Sequence, residues 1–318
     1  MKDYHNAIEI KDLTVKYDGF TLDHINFNVA KGSIMGFIGQ NGAGKTTTIR
    51  TILNIIKANE GSVKVFGLDS VKDEREIKEN ISAVFDNLPF HDQLNGKSLN
   101  TILKNVYKEW DSVKFYEYLD RLALPQRKKF GEFSKGMKMK MQIAAALSHN
   151  AKLLIMDEAT TGLDPVVRNE CLDMFLEFLQ DENHSILMSS HITSDLEKVA
   201  DSVTFINKGK LLLTGYKDDV LEQHGLIKCK KDDYKEIDPA DVISARITDY
   251  GATILVSDRQ MCANKYSGLV LEGATLEEIM LYYVNNTGSF SVKRASDSAD
   301  FFRNLVGSFK PETYLFTT

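Results

Sequence analysis

The chain predicts an α/β fold in which a phosphate loop joins a buried strand to a helix. Gly39-Gln40-Asn41-Gly42-Ala43-Gly44-Lys45-Thr46 fits G-x-x-x-x-G-K-[ST] at every fixed position. Lys152 to Met156 is an apolar run of strand length that ends in Asp157-Glu158. A carboxylate at the end of a buried parallel strand sits where α/β sheets bind ligands. From Ala151 to Thr214, strand-like and helix-like segments alternate, as in a parallel sheet.

Residues 7–30 alternate apolar and polar, as in Ile8-Glu9-Ile10-Lys11, which predicts an antiparallel β region. Ser33 to Ile38 reads as a buried strand bounded by Gly32 and Gly39. In the loop that follows, Gly39, Gly42 and Gly44 are expected to take positive φ and to bring the backbone close to phosphates. Successive N–H groups then form an anion nest. Lys45 suits the β- and γ-phosphates, and the Thr46 hydroxyl suits Mg²⁺. Thr46 to Leu53 follows as a helix whose N-terminal dipole faces the phosphates, so Gly39 through Thr47 are the expected nucleotide contacts.

Gly61 to Gly67 predicts a further strand. Helical patterns run through residues 87–150, over Leu99–Glu109, Lys114–Leu124 and Lys135–Ser148, the last with Ser134 as N-cap. Asp157 suits a hard cation that prefers oxygen ligands. Glu158, one residue on, suits a general base. Ser185 to Ser190 is another strand, and His191 at its end is placed to hydrogen-bond a γ-phosphate. The other six histidines read as structural or solvated. Beyond residue 215, Ile243–Thr248 and Ala252–Ser257 predict strands of a small α+β unit. Thr275-Leu276-Glu277-Glu278 opens a terminal helix with a capping box. Residues 286–318 are Ser-rich, with disorder or local docking as the default and an amphipathic turn over Ala299–Val306.

At 318 residues, 43% hydrophobic and 26% charged, the composition is that of a soluble globular protein with more than one domain. The net charge of −6 argues against a nucleic-acid binder. No run approaches the roughly 20 apolar residues of a membrane span. The opening Met1-Lys2-Asp3-Tyr4 does not read as a signal peptide. Cys171, Cys229 and Cys262 have no metal spacing and form no even disulfide set, which points to a reducing cytosol.

With these motifs in this order, the chain resembles the nucleotide-binding subunit of ABC transporters over residues 7–215. Residues 39–46 look like the Walker A loop of this P-loop NTPase fold. Phe133-Ser134-Lys135-Gly136-Met137 stands where the family has its Leu-Ser-Gly-Gly-Gln signature. Asp157 and Glu158 match Walker B and its catalytic glutamate, Thr161-Gly162-Leu163-Asp164 the D-loop, and His191 the switch histidine. Tyr17 is similar to the aromatic that stacks on adenine, with Phe20 a rival.

The chain departs from the family pattern at several positions. Asp86 replaces the Q-loop glutamine after Ile81–Phe85, where it could still ligate Mg²⁺. Lys135 replaces the first signature glycine, Met137 its glutamine, and Ala159 the proline after Walker B. Ser134 and Gly136 are retained, and in the family they touch the γ-phosphate of a partner subunit.

The resemblance implies an ATPase with ATP and Mg²⁺ as cofactors, catalytic Lys45, Glu158 and His191, and metal contacts at Thr46, Asp86 and Asp157. Nucleotide contacts extend to Tyr17, Ser134, Gly136, Met137 and Asp164. Residues 1–215 would be the ATP-binding domain, with a helical subdomain at about 87–150. Residues 216–285 would be an accessory domain that braces the dimer, and 286–318 a tail. Implied partners are a separate multi-span membrane subunit, docking near Pro89-Phe90, and a second copy of the chain or a paralogue, at the cytoplasmic face. Asp86 with Ser-Lys-Gly-Met resembles bacterial exporters of antimicrobial-peptide resistance and phenol-soluble-modulin efflux. Two alternatives stand beside this. One is a non-transport ABC ATPase acting on ribosomes or DNA, and the other an ATP-binding regulator without turnover.

Overall fold

A hairpin opens the chain: β1 (Asn6–Tyr17) and β2 (Phe20–Ala30) pair antiparallel, with Gly19 supplying the positive φ of the turn. The computed structural model describes residues 5–86 and 90–285. β3 (Ile34–Ile38) leads into α1 (Lys45–Ile52). Next come β4 (Glu60–Val65), β5 (Leu68–Asp69), α2 (Glu74–Glu79) and β6 (Ile81–Val84). A helical stretch holds α3 (Gly96–Val106), α4 (Ser112–Arg121) and α5 (Lys135–Ala146). Strands and helices then alternate through β7 (Leu153–Asp157), α6 (Pro165–Phe178), β8 (Ser185–Ser190), α7 (Thr193–Val199), β9 (Ser202–Asn207) and β10 (Lys210–Tyr216). The last segment runs α8 (Lys217–Gln223), β11 (Gly225–Cys229), β12 (Val242–Ile247), β13 (Ala252–Val256), α9 (Arg259–Lys265), β14 (Val270–Gly273) and α10 (Leu276–Asn285). The opening Met1–Tyr4, Pro89 and the stretch 286–318 with Ala299–Val306 lie outside the described residues.

The strands form three sheets. An antiparallel sheet has the order β2-β1-β4-β5. The central sheet has the order β10-β9-β3-β8-β7-β6, parallel except for β10 at its edge. A third, antiparallel sheet has the order β12-β13-β11-β14. Strands β11 and β14 were not legible as strands, because each is short and neither alternates cleanly.

The central strands are apolar throughout because both faces are covered. Alternate side chains serve different layers. Ile34, Ile38, Leu154, Met156, Ile186 and Met188 pack toward the helices. Met35, Phe37, Leu153, Ile155 and Leu187 pack toward α1 and the antiparallel sheet. Phe27 and Phe37 stack their rings 5.2 Å apart across that second layer.

Helices α3 and α4 start earlier than their apolar periodicity suggests, and their caps explain it. The Asn95 side chain accepts from the Ser98 N–H, and the Ser98 hydroxyl accepts from the Asn95 N–H. Asp111 accepts from the N–H groups of Val113 and Lys114. Each polar cap takes up N–H groups that the helix leaves unpaired, so the helix begins there. The capping box at Thr275 and Glu278 forms as expected.

Polar groups also join α5 to β6. The buried Ser82 hydroxyl donates to the Ala146 carbonyl at 2.6 Å and meets His149 Nε2 at 2.5 Å. Tyr107 stacks on the His149 ring at 4.0 Å. Burial pushes His149 from 6.5 down to about 4. An unfolded chain therefore binds one more proton than the folded chain between those values. This share of stability is complete above about pH 6.5 and is lost as pH falls toward 4. Between pH 7 and 5 it amounts to about 2 kcal/mol. His149→Gln should remove that share of the pH dependence, read by urea unfolding at both pH values. Equal pH dependence in the two chains would count against it.

Candidate nucleotide site

Strands β6, β7, β8 and β3 end on one edge of the central sheet, and the loops that follow build the site. After β3 the chain turns at Gly39. Gly42 (φ 77°) and Gly44 (φ 118°) take positive φ as expected. Gly39 does not, and here the sequence expectation needs correction. A Cβ at Gly39 would sit 2.5 Å from the Ile206 carbonyl oxygen, so close approach rather than handedness requires glycine there.

Lys45 is 5% exposed. Its ammonium donates to the Gly39 carbonyl at 2.6 Å and to the Gln40 carbonyl at 3.3 Å. Gln40, Asn41 and Gly42 form the exposed tip of the loop, and Ala43 beneath it donates its N–H to Gln40. Thr46 is exposed and Thr47 half-buried. Phe20 lies against Gly44, whereas Tyr17 at the hairpin end keeps 46% of its surface in solvent. Tyr17 is therefore the more exposed of the two rings.

The register of β7 against β8 sets Asp157 opposite Ser189. The Ser189 hydroxyl donates to Asp157 Oδ1 at 2.6 Å, and the Thr46 hydroxyl donates to Oδ2 at 2.6 Å. Glu158 stands next in a left-handed conformation, φ 58°. That uncommon geometry for a non-glycine residue turns its side chain into the loop cluster. Glu158 Oε2 accepts from the Thr161 hydroxyl at 2.9 Å and meets His191 Nδ1 at 2.6 Å. Oε1 faces Lys45 Nζ at 3.1 Å as an ion pair and has no hydrogen-bond partner among the described residues. Burial works to raise the Glu158 carboxyl, but the Lys45 charge with the Thr161 and His191 bonds outweighs it and holds the group below its ordinary value.

The remaining expected residues lie on neighbouring segments. Ser134 accepts from the Met137 N–H at 3.2 Å and caps α5. Met137 is partly buried on the helical core, and Gly136 lies against Leu163. Asp164 accepts from the Val167 N–H at 3.1 Å and caps α6 ahead of Pro165. Asp86 pairs with Lys135 at 2.6 Å. Lys45, Glu158 and His191 thus form one side-chain cluster and Thr46, Asp157 and Ser189 another, linked where the Glu158 N–H donates to the Ser189 hydroxyl at 3.2 Å, and Ser134, Gly136, Met137, Asp164 and Asp86 stand outside both. Phe90 packs its ring 6.1 Å from Phe130.

Sequence reasoning missed Ser189 and Gln142. Ser189 left a weak signal, being a hydroxyl in an apolar strand. Gln142 left none, yet it is 4% exposed and pins both backbone groups of Phe85.

Thr46 and Asp157 offer hard oxygen donors side by side, as Mg²⁺ requires. Mg²⁺ usually takes only one or two carboxylates, with phosphates and water completing its shell. The donor set therefore fits this ion.

A family model described as "ABC transporter" matches residues 22–161. The bacitracin transport ATP-binding protein BcrA of Bacillus licheniformis is 38% identical over 209 residues, covering 64% of this chain and 68% of that protein. The chain belongs to the ABC transporter ATP-binding family. The lantibiotic transport ATP-binding protein SrtF of Streptococcus pyogenes is 32% identical, over 65% of this chain and 89% of that protein. A solved structure described as the ATP binding subunit of an ABC transporter superposes with a TM-score of 0.63 at 25% identity, covering 68% of this chain and 92% of the other. The P-loop NTPase fold class and the ATPase class expected from the motifs hold. The chain is an ATP-binding subunit of the transporter type, and such subunits work with transmembrane permeases. Among the described residues no helix is long and apolar enough to cross a membrane.

Proposed function

We propose that this ABC subunit hydrolyses ATP to power an exporter of amphipathic peptides or drugs. The relatives described as bacitracin and lantibiotic transport proteins support the substrate class. The joined cluster of Lys45, Glu158 and His191 beside Thr46 and Asp157 carries the enzymatic part.

In this reading the loop N–H groups and Lys45 bind the phosphates. Thr46 and Asp157 would hold Mg²⁺, which would supply charge neutralisation at the phosphates, whereas the Asp86 carboxylate is engaged by Lys135. Glu158 orients a water through Oε1 and takes its proton as the new P–O bond forms and the bond to ADP breaks. His191 and Thr161 hold the carboxylate in place through Oε2. Tyr17 stacks on the base. Ser134, Gly136, Met137 and Asp164 face the nucleotide of a second subunit, so two copies close on ATP. Residues 1–215 make up this ATPase domain, 216–285 an accessory domain and 286–318 a tail. The subunit sits on the cytoplasmic face of the membrane, docked on a separate multi-span partner.

The test is purification of the tagged chain from native membranes in mild detergent, with its companions identified by mass spectrometry. A multi-span protein in near-equal amount is expected. Ribosomal or DNA-associated companions, with nothing from the membrane, would overturn the transporter reading.

A further inference from the structure

The two departures from the family pattern that add charge meet each other. Lys135 is the first residue of α5, and Asp86 follows the end of β6. Their side chains pair at 2.6 Å. The same helix grips the same strand end two turns later, where Gln142 bonds the Phe85 N–H at 3.2 Å and the Phe85 carbonyl at 2.8 Å. Residues seven apart lie on one helix face, so Lys135 and Gln142 form two anchors in line. The Lys135 stem also runs beside the D-loop, since a Cβ on Gly162 would sit 3.7 Å from Lys135 Cδ. One lysine thus pairs with the residue beyond the strand end, lies beside the D-loop and opens the helix that Ser134 caps.

Burial decides what this pair can do. Lys135 is 56% exposed and Asp86 46%. Such half-exposed pairs add little to global stability. Orientation is a different matter, because the Gln142 clamp holds both backbone groups of Phe85, the residue before Asp86. A charge held at a fixed point can set the direction of a helix N-terminus. The pairing also neutralises a carboxylate that follows β6, beside the β7 strand whose end carries Asp157 and Glu158.

We propose that Asp86 and Lys135 act together as a positioning pair for ATP hydrolysis, holding the N-terminus of α5 and the adjoining D-loop in register with the end of β6. The proposal rests on the ATPase reading and concerns turnover, not nucleotide capture.

The test is a double-mutant cycle in the full-length chain with Asp86→Asn, Lys135→Gln, both together, and the exchange of Asp86→Lys with Lys135→Asp. Turnover at saturating Mg-ATP, ATP affinity and Tm are read for each. Each single variant should lower kcat about tenfold, and the double neutral variant should lose no more than either single. The exchanged pair should recover part of the loss. ATP affinity should stay within about twofold and Tm within about 2 °C of wild type. Single variants that turn over like wild type, or losses that multiply, would overturn the pair alone. So would a fall in Tm with parallel loss of ATP binding, which marks a folding role. Absence of wild-type turnover would sink the ATPase reading and the pair together.

Discussion

Glu158→Gln should slow ATP hydrolysis by about 10²–10⁴-fold while leaving ATP affinity within a few-fold. The substitution keeps the shape of the side chain and removes its basicity. Lys45 loses its ion-pair partner but keeps the Gly39 and Gln40 carbonyls, so the phosphate loop stays ordered. Removal of a negative charge near the γ-phosphate works in favour of binding, not against it. Phosphate release at saturating Mg-ATP and calorimetric titration of ATP separate the two effects. Turnover within threefold of wild type would exclude Glu158 as the base. The pH profile carries the same information. Because the Glu158 carboxyl is held below its ordinary value, it is charged throughout the neutral range. Its contribution to turnover should be flat from about pH 6 to 8 and should fall only in acid, as pH drops through the depressed value.

What the sequence revealed follows the range of each interaction. The phosphate loop is eight contiguous residues, and its strand and helix flank it directly, so chemistry and geometry were legible together. Asp157 and Glu158 were legible for the same reason, at the end of an uninterrupted apolar run. Their partners were not equally visible. Ser189 reaches Asp157 from a separate strand, and only the parallel register brings them opposite. Gln142 holds Phe85 from 57 residues away. Asp86 and Lys135 each stood out as departures, yet nothing local shows that they pair. Gly39 teaches a related lesson. Its positive φ was expected and is not found, because what requires glycine there is the Ile206 carbonyl, which comes from β9 and excludes a Cβ. Local rules reported which residues carry chemistry, and the sheet topology determined which of them meet.

Lys45→Met should weaken ATP binding by about 10²–10⁴-fold, the loss expected for two charge-assisted bonds of about 1.5–3 kcal/mol each. The ammonium is nearly fully buried and is held at the loop by the Gly39 and Gln40 carbonyls and by Glu158. The same substitution has a second consequence in the nucleotide-free chain. It leaves the Gly39 carbonyl without its 2.6 Å bond and the Glu158 carboxylate without its cation. Removing one partner of a buried pair destabilises by several kcal/mol when nothing else reaches the survivor. Here Thr161 and His191 still do, so about 1–3 kcal/mol is expected. The two effects separate on adding Glu158→Gln. The double variant no longer strands a charge, so much of the lost stability should return. ATP affinity should not return, because the missing cation acts on the ligand directly. Urea unfolding and ATP titration of the three variants make the comparison. If binding recovers together with stability, Lys45 acts by keeping the loop folded, and its direct role toward the phosphates is wrong.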